Sequence, residues 1–284
     1  MGRGGTAPPA GCPPPPSPPH EGEGRHRSSR RFRLWQSCIR AFFAVLVAGP
    51  VLAGTCRDMV HDGQGYAICE VAAGADLRLF HTAPDAAVYG SFARIDEALA
   101  GTGQSLVFAM NAGMYHSDRA PVGLLVEGGV KRAPLVTAAG PGNFGLLPNG
   151  VFCRLRDGRF AVIESRAFAA ATPDCTDASQ SGPMLVIGGA LHPRFLPDSD
   201  SRYRRNGVGV SADGTRAVFA ISDRAVTFHA FARLFRDALG LPQALYFDGQ
   251  ISRLYAPGLG RNDWGPSMGP VVGLVAGPVG PAGD

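Results

Sequence analysis

Polar side chains and glycines adjoin short apolar segments at five places in the sequence. The clearest is Asp248, a carboxylate at the end of the apolar segment Ala244–Phe247, with Gly249 and Ser252 after it. The other four places supply amide, hydroxyl and guanidinium groups beside small residues: Asn111 with Gly113, Asn149, Ser181 with Gly182, and Arg205 with Asn206. Glycine lets a backbone approach a ligand closely, and loops held by a rigid sheet commonly carry binding groups. This set of groups suits a sugar or a phosphate ester better than an apolar ligand.

Each of these residues also has a purely structural interpretation. Asn149-Gly150 and Asp248-Gly249 are ordinary turn dipeptides, Asn111 is able to cap a strand end, and Arg205 is able to lie on the surface. We predict neither a serine hydrolase of the α/β type nor a P-loop nucleotide enzyme. The spacing of the histidines is not that of a metal site, so we predict no metal and no cofactor.

Short apolar segments separated by turn signals predict a sheet-dominated fold. The predicted strands are Leu106–Met110, Val122–Val126, Gly150–Leu155, Phe160–Ile163, Met184–Ile187, Val208–Val210, Ala217–Ile221 and Ala244–Phe247. Two segments, Phe92–Leu99 and Phe228–Leu239, repeat apolar residues at helical spacing, and Gly240 ends the second. We therefore predict an α+β fold, a mixed, mostly antiparallel sheet core with two main helices packed on it.

The composition of residues 1–53 predicts a leader that is not part of the folded domain. A Gly/Pro-rich stretch over residues 1–24 precedes an arginine-rich run and the apolar block Ala41–Ala53, the pattern of a disordered leader plus a signal peptide. A membrane anchor is the alternative, but the apolar block is shorter than the roughly 20 residues that span a bilayer. We predict an exported protein, periplasmic or secreted, with one domain at 54–262 and a poorly ordered, Gly/Pro-rich tail at 263–284.

The positive charge of the chain belongs mostly to this leader. The whole chain carries a net charge of +4, whereas residues 54–284 hold 20 basic and 21 acidic side chains. Nucleic-acid binding needs a clustered basic face. We therefore predict no nucleic-acid partner, and no protein partner is evident.

Four cysteines follow the leader: Cys56, Cys69, Cys153 and Cys175. An even number of cysteines in an exported protein indicates disulfides, and four cysteines allow three pairings. We favour Cys56–Cys69 and Cys153–Cys175, because each closes a short loop. A zinc site is the alternative, although the sequence lacks the C-x-x-C pair common in such sites.

Six segments are notable for their order along the chain: Asn111–Tyr115, Pro121–Leu124, Asn143-Phe144 with Pro148–Phe152, Gln180–Val186, Arg205–Gly209 and Tyr246–Gly249. In this order they resemble the phosphodiester glycosidase domain family, from about Ala67 to Pro257. The chain departs from the family pattern where Gln250 and Ile251 replace two glycines and where Asn206 replaces a threonine. Both departures indicate an exported bacterial branch of the family.

The resemblance implies hydrolysis of a sugar-1-phosphodiester at the anomeric C–O bond, which releases a free sugar and leaves a phosphomonoester. Asp248 would stabilise the oxocarbenium-like transition state, as nucleophile or as base for water, and Arg205 would neutralise the phosphate. The predicted substrate contacts are Asn111, Gly113, Asn149, Ser181, Gly182, Asn206, Gly249 and Ser252.

Other hypotheses remain open from the sequence. Asp223 and Glu164 are candidates for a second catalytic carboxylate. A non-catalytic protein that binds carbohydrate or cell-envelope glycan on the same fold is the alternative function. A metal-dependent phosphodiesterase ranks third, because the sequence shows no clustered His/Asp set for two metals.

Overall fold

Seventeen strands and three α-helices make up about half of residues 54–277, the part of the chain that the computed structural model describes. The strands are, in chain order, β1 (Gly54–His61), β2 (Gln64–Ala72), β3 (Leu77–Phe80), β4 (Ser105–Asn111), β5 (Leu125–Glu127), β6 (Val130–Ala133), β7 (Gly150–Leu155), β8 (Phe160–Glu164), β9 (Cys175–Ser181), β10 (Met184–Ile187), β11 (Ala190–Leu191), β12 (Asn206–Val210), β13 (Arg216–Ser222), β14 (Gln243–Asp248), β15 (Leu254–Ala256), β16 (Arg261–Asn262) and β17 (Val271–Ala276). The helices are α1 (Phe92–Ala100), α2 (Ser165–Ala171) and α3 (Phe228–Arg233). A π-helical turn over Leu234–Ala238 continues α3, and a 3₁₀ turn over Pro257–Leu259 follows β15.

Hydrogen bonding groups these strands into three sheets. The first has the order β1-β2-β13-β12-β14-β10-β11, the second β16-β15-β4-β17-β3, and the third β6-β5-β9-β7-β8. Every pairing between the described strands is antiparallel. The α+β class is therefore confirmed, and the sheet core consists of three antiparallel sheets.

Both faces of the first sheet are buried at its central strands β12, β13 and β14, which explains why these strands are largely apolar. In β13, Phe219 and Ile221 belong to a core that all three sheets share, whereas Val218 and Ala220 pack in a second core beneath α3. Successive side chains of a strand point to opposite faces. One apolar strand therefore serves two cores, and a run of apolar residues predicts it well.

Each α-helix covers the outer face of a different sheet. Ile95 of α1 packs on the second sheet, Phe168 of α2 on the third, and Phe231 of α3 on the first. The prediction of two main helices is therefore replaced by three. Helix α2 is only seven residues long, too short for a periodic pattern, and the predicted helix Phe228–Leu239 changes to π-helical bonding after Arg233.

The predicted strands correspond to observed ones, with shifted ends in several cases. Gly150–Leu155 and Met184–Ile187 coincide with β7 and β10, whereas the segment predicted to start at Val122 becomes a strand only at Leu125. Strand β9 was not predicted, because it carries buried polar residues, among them Asp177 and Ser179. Their partners come from distant segments, which a local pattern does not reveal.

The prediction of a poorly ordered tail from residue 263 is wrong for the residues that the structure describes. Strand β17 lies between β4 and β3 in the second sheet, and its residues Val271–Leu274 are buried. Glycines and prolines around it suggested a disordered end. Its apolar side chains instead pack under α1 and in the shared core.

Both favoured disulfides are confirmed. Cys56 and Cys69 are directly paired residues of β1 and β2, and Cys153 of β7 is bonded to Cys175 of β9. The predicted leader and signal peptide over residues 1–53 lie outside the described residues. In residues 54–277 the structure contains no helix that is long and apolar enough to cross a membrane.

Candidate active site

A pocket of about 430 Å³ opens where β4 and β14 end and where the chain enters β12. Its lining comes from four stretches of chain that are far apart in sequence. The lining residues are Met114, Tyr115, Val122, Gly142, Asn143, Ser201, Tyr203, Tyr246, Asp248, Gly249, Gln250 and Ile251. Of the predicted site residues, the structure places Asp248 and Gly249 in this lining.

Asp248 is the one carboxylate among the described residues that line the pocket. Its Oδ1 accepts hydrogen bonds from the backbone amides of Gly249, at 2.6 Å, and Gln250, at 2.9 Å. Burial raises the pKa of Asp248 above its ordinary value, and bonds from the amides of Gln250, Gly249 and Ile251 oppose that rise. The result is a partly desolvated carboxylate in a fixed orientation.

A β-bulge sets the direction of this carboxylate. Asn206 pairs with Asp248 and Gly207 pairs with Tyr246, so Phe247 is one extra residue on β14. The Ser181 hydroxyl donates to the Phe247 carbonyl at 2.8 Å. Bulges bend a strand and re-aim its side chains, and they are frequent beside active sites. Ser181 therefore holds the bulge in place from behind the pocket.

Asn111 and Asn206 form a buried amide pair between the second and first sheets. Asn111 Nδ2 donates to Asn206 Oδ1 at 3.2 Å, and Asn206 Nδ2 donates to the Asn111 carbonyl at 2.7 Å. Asn206 Oδ1 also accepts from the Asp248 amide at 3.2 Å. The Ser252 hydroxyl lies 2.9 Å from the Asp248 carbonyl, so this network fixes both ends of the turn that begins at Asp248.

Gly113, Asn149 and Gly182 lie in a second group of buried residues outside the pocket lining. A β-carbon on Gly182 would lie 2.6 Å from the β-carbon of Asn149, and one on Gly113 would lie 2.8 Å from Ser179 Oγ. Asn149 Nδ2 donates to the Phe144 carbonyl at 2.8 Å, next to Asn143 of the lining. Close backbone packing therefore explains the two glycines.

Arg205 lies behind the pocket wall and has no exposed surface. Its guanidinium carbon stacks 3.6 Å from the ring centre of Phe228 and about 5.5 Å from that of Tyr203. Nε donates to the Val226 carbonyl at 2.9 Å and Nη2 donates to the Ser201 carbonyl at 3.1 Å, while buried Nη1 has no hydrogen-bond partner within residues 54–277. No carboxylate of the described chain forms an ion pair with it.

Three tyrosines of the pocket wall were missing from the predicted site: Tyr115, Tyr203 and Tyr246. The Tyr246 hydroxyl touches Gly249, and any side chain at Gly249 would displace it. Burial raises the pKa values of Tyr115 and Tyr246, and the nearby Asp248 raises them further. The sequence did contain a signal for two of these tyrosines, because Tyr115 and Tyr246 lie within the same short segments as Asn111 and Asp248.

A family model described as phosphodiester glycosidase matches residues 104–265, which include all of the pocket lining. The chain belongs to the phosphodiester glycosidase family. It is 40% identical over 150 residues to the "Uncharacterized protein YigE" of Escherichia coli (strain K12), a match that spans 53% of this chain and 58% of that relative, less than two thirds of its length. The departures noted at Asn206, Gln250 and Ile251 thus lie inside the region that defines the family.

A solved structure has a similar fold to this member of the phosphodiester glycosidase family. The zebrafish N-acetylglucosamine-1-phosphodiester alpha-N-acetylglucosaminidase catalytic domain, auto-inhibited by its pro-peptide, matches with a TM-score of 0.52. The match covers 80% of this chain and 84% of that chain at 13% sequence identity. At this identity the likeness shows the shared fold.

The structure places both candidate second carboxylates outside the pocket of this phosphodiester glycosidase fold. Asp223 lies 3.1 Å from Arg261 in an ion pair, and Glu164 caps α2 by accepting from the amides of Arg166 and Ala167. Each carboxylate thus has a structural partner away from Asp248. Asp248 therefore lies in the pocket without a carboxylate partner from the described chain.

Two other kinds of site, a metal site and a serine nucleophile, can also be compared with the structure. Residues 54–277 contain no group of three or more His, Cys, Asp or Glu that could hold a metal ion. The segment Gly265–Gly269 matches G-x-S-x-G letter by letter, which the sequence prediction overlooked. It lies in the loop between β16 and β17, whereas a nucleophile elbow is a turn from a strand into a helix. Ser267 is therefore not arranged as an elbow serine.

Proposed function

We propose that this protein is an exported hydrolase that cleaves the glycosidic bond of a sugar-1-phosphodiester and releases a free sugar and a phosphomonoester. The observation that carries the proposal is the pocket wall around Asp248: one desolvated carboxylate faces the pocket, and one buried guanidinium without a carboxylate partner lies behind the wall. Membership of the phosphodiester glycosidase family supports the same reaction class.

Asp248 is the proposed catalytic residue. Cleavage of the anomeric C–O bond builds positive charge on the sugar ring, and a nearby carboxylate stabilises that charge or attacks the anomeric carbon. The leaving phosphate departs as an anion without strong acid assistance. A pocket with a single carboxylate from the described chain fits that requirement better than it fits an ordinary glycoside, which needs an acid as well.

Arg205 is proposed to act on the phosphate from behind the wall. Its guanidinium stays charged because an arginine side chain is not deprotonated in proteins, although burial lowers its pKa. The rings of Tyr203 and Tyr246 stand between this charge and the pocket. A buried positive charge that no carboxylate neutralises favours an anionic ligand in the adjoining pocket.

The phenol of Tyr246 is a proposed hydrogen-bond donor to the substrate, whereas the Tyr115 phenol, whose one O–H donates to the Ser267 carbonyl, is a proposed acceptor from a sugar hydroxyl. Their raised pKa values keep both phenols protonated at neutral pH, and a neutral phenol is able to donate to a phosphate or sugar oxygen. The other predicted contacts, Asn111, Gly113, Asn149, Ser181, Gly182, Asn206 and Ser252, are proposed to act by positioning this wall. Each of them bonds or packs against the segments that carry the lining.

Export rests on separate support. The two disulfides are typical of proteins that fold in an oxidising compartment. A glycan phosphodiester outside the cytoplasm, periplasmic or extracellular, is accordingly the proposed substrate class. The sugar-1-phosphodiesters of cell-envelope polymers belong to that class.

Asp248→Asn tests the reaction. The variant keeps an acceptor for the amides of Gly249 and Gln250 but loses the negative charge, so we expect hydrolysis of a sugar-1-phosphodiester to fall at least about 10³-fold. The matched control is Asp174→Asn, which removes an exposed aspartate bonded to Arg156 and should leave activity unchanged. In the unmodified protein, the acid limb of kcat/KM should lie above pH about 4, the ordinary range of aspartate.

Release of free sugar is the direct measurement. Full activity of Asp248→Asn would refute the assignment of Asp248. Calorimetric binding of a sugar phosphodiester by the unmodified protein, without any release of sugar, would instead favour the non-catalytic glycan-binding alternative.

A further inference from the structure

Trp264 is the most exposed large apolar side chain in residues 54–277, with 94% of its surface accessible. It belongs to the stretch 263–270, which joins β16 to β17 and which we name the rim loop. Exposed tryptophan is unusual, because the indole is largely apolar. A single exposed apolar residue on a surface often has no function. The surroundings of Trp264 must therefore show whether it has one.

The rim loop lies at the same end of the second sheet as the pocket. Asp263 exchanges hydrogen bonds with Leu254 of β15, and the Pro270 carbonyl accepts from the Ala112 amide just after β4. Strand β4 leads through Asn111 into Met114 and Tyr115 of the pocket lining. The loop therefore crosses the strand ends from which the pocket wall begins.

The rim loop contacts Tyr115 of the pocket lining and Arg204, which follows Tyr203 of the lining. The Tyr115 hydroxyl donates to the Ser267 carbonyl at 3.3 Å, and the Tyr115 ring packs on Gly269. On the other side, Arg204, the neighbour of Tyr203, lies 3.5 Å from Asp263 in an ion pair. Trp264 lies in the chain between Asp263 and Ser267, so its backbone is close to the residues that make both of these contacts.

Arg253 braces the backbone on either side of Trp264. Its Nε donates to the Asp263 carbonyl at 2.9 Å, and its Nη1 donates to the carbonyls of Gly265, at 3.2 Å, and Pro266, at 2.8 Å. The Met268 amide donates to the Gly90 carbonyl at 2.9 Å. The backbone that carries the exposed indole is therefore fixed on both sides, which lowers the entropy cost of ordering the loop when a ligand binds.

We propose that Trp264 forms a second sugar-binding subsite, on which the next sugar ring of an oligomeric sugar phosphodiester stacks. One face of a pyranose ring presents C–H groups, which bury apolar area against an indole, while the hydroxyls at the ring edge stay in water. The subsite rests on the proposed function, since it extends the substrate beyond the ring bound beside Asp248. The substrate class it selects is a polymer of repeating sugar phosphodiesters, and not a single short diester.

The kinetic test compares two substrates built from the same sugar: a methyl sugar-1-phosphodiester and an oligomer of at least three repeating units. In Trp264→Ala of the full chain, KM for the oligomer should rise roughly tenfold, about the effect of losing one stacked ring. Hydrolysis of the methyl diester should stay within twofold of the unmodified protein, and Trp264→Phe should restore most of the loss. An equal effect on both substrates, or no effect on either, would overturn the subsite.

A fluorescence test is independent of turnover. The sequence contains two tryptophans, Trp35 and Trp264, so Trp35→Phe leaves Trp264 as the single emitter. Titration with the oligomer should shift the emission to the blue and protect it from iodide, whereas the methyl diester should do neither. An emission spectrum that does not change when the oligomer is added would contradict the subsite. So would a blue-shifted emission of the protein alone that disappears on dilution, because a second copy of the protein would then be covering Trp264.

The two tests separate the subsite from the catalytic proposal. If the unmodified protein hydrolyses neither substrate, the proposed function fails, and the fluorescence titration alone then decides whether Trp264 binds the oligomer. If hydrolysis proceeds but the titration shows no response, the reaction stands and the subsite falls.

Discussion

Asp248 experiences two opposing influences on its charge. Burial favours the neutral acid and raises its pKa, whereas the amides of Gly249, Gln250 and Ile251 favour the carboxylate. Burial is the larger influence. The folded protein therefore holds this carboxylate at a cost, and a residue with such a cost is a good candidate for a functional role.

Because the buried charge of Asp248 lowers the stability of the folded protein, we predict a pH-dependent gain in stability for Asp248→Asn. A carboxyl whose pKa is higher in the folded state than in the unfolded state contributes stability below its unfolded pKa, about 3.9, and loses it as the pH rises through the folded pKa. Asparagine does not titrate. We expect the variant to melt at a higher temperature than the unmodified protein at pH 7, with the difference disappearing near pH 3.

Melting curves of both proteins between pH 3 and pH 7 measure this difference. Asp174→Asn is again the control, since Asp174 is exposed and its ion pair with Arg156 lowers its pKa. A melting difference for Asp248→Asn that stays constant across the pH range would count against a raised pKa in the folded protein.

At the scale of secondary-structure elements, the site depends on one hydrogen-bonded contact between two sheets. The amide pair of Asn111 and Asn206 joins the end of β4 to the start of β12, and Asn206 also bonds the Asp248 amide. Such a pair is stable in a buried setting only because its donors and acceptors find partners.

Asn206→Ala should destabilise the fold and the site together. The change removes the partner of Asn111 Nδ2 and the side-chain bonds to the Asn111 carbonyl and the Asp248 amide, while Asn111 Oδ1 keeps its bond from the Arg253 amide; we expect a loss of about 2–4 kcal/mol in the free energy of unfolding. Urea denaturation measures the loss. Asn262→Ala, at an exposed position of β16, should change stability by less than about 0.5 kcal/mol. Equal stability of the two variants would show that the Asn111–Asn206 pair does not stabilise the fold.

For the whole molecule, strand β17 closes the fold. It lies between β3 and β4, so a strand near the end of the sequence completes the second sheet and contributes Val272 and Leu274 to the shared core. Contacts of this kind link the last described strand to strands formed almost 200 residues earlier. They make the second sheet dependent on the far end of the chain.

Truncation after residue 262 should therefore abolish folding. It removes the apolar side chains of β17 from two cores and exposes the facing edges of β3 and β4, which are then open to aggregation. The matched control ends after Gly277 and keeps every described strand. Soluble yield and the circular dichroism of the two proteins decide the point. A folded protein ending at residue 262 would contradict the arrangement of the second sheet.

The sequence by itself determined eight of the seventeen described strands, the two disulfides and Asp248 as the leading candidate residue. Each depends on local information: burial on both faces makes most of β7 and β13 apolar, and a short loop separates the cysteines of each bonded pair. The order of the six motifs was also readable without coordinates, and it led to the family.

The tertiary structure alone decided which of these residues face the pocket. Arg205 and Asn206 are neighbours of a strand start and read as surface or ligand groups, yet both are buried behind the wall. Tyr115, Tyr203 and Tyr246 reach the pocket because three segments that are distant in the sequence converge there. The physical reason is that side-chain orientation and burial depend on contacts between distant strands, which a local pattern of residue types does not contain.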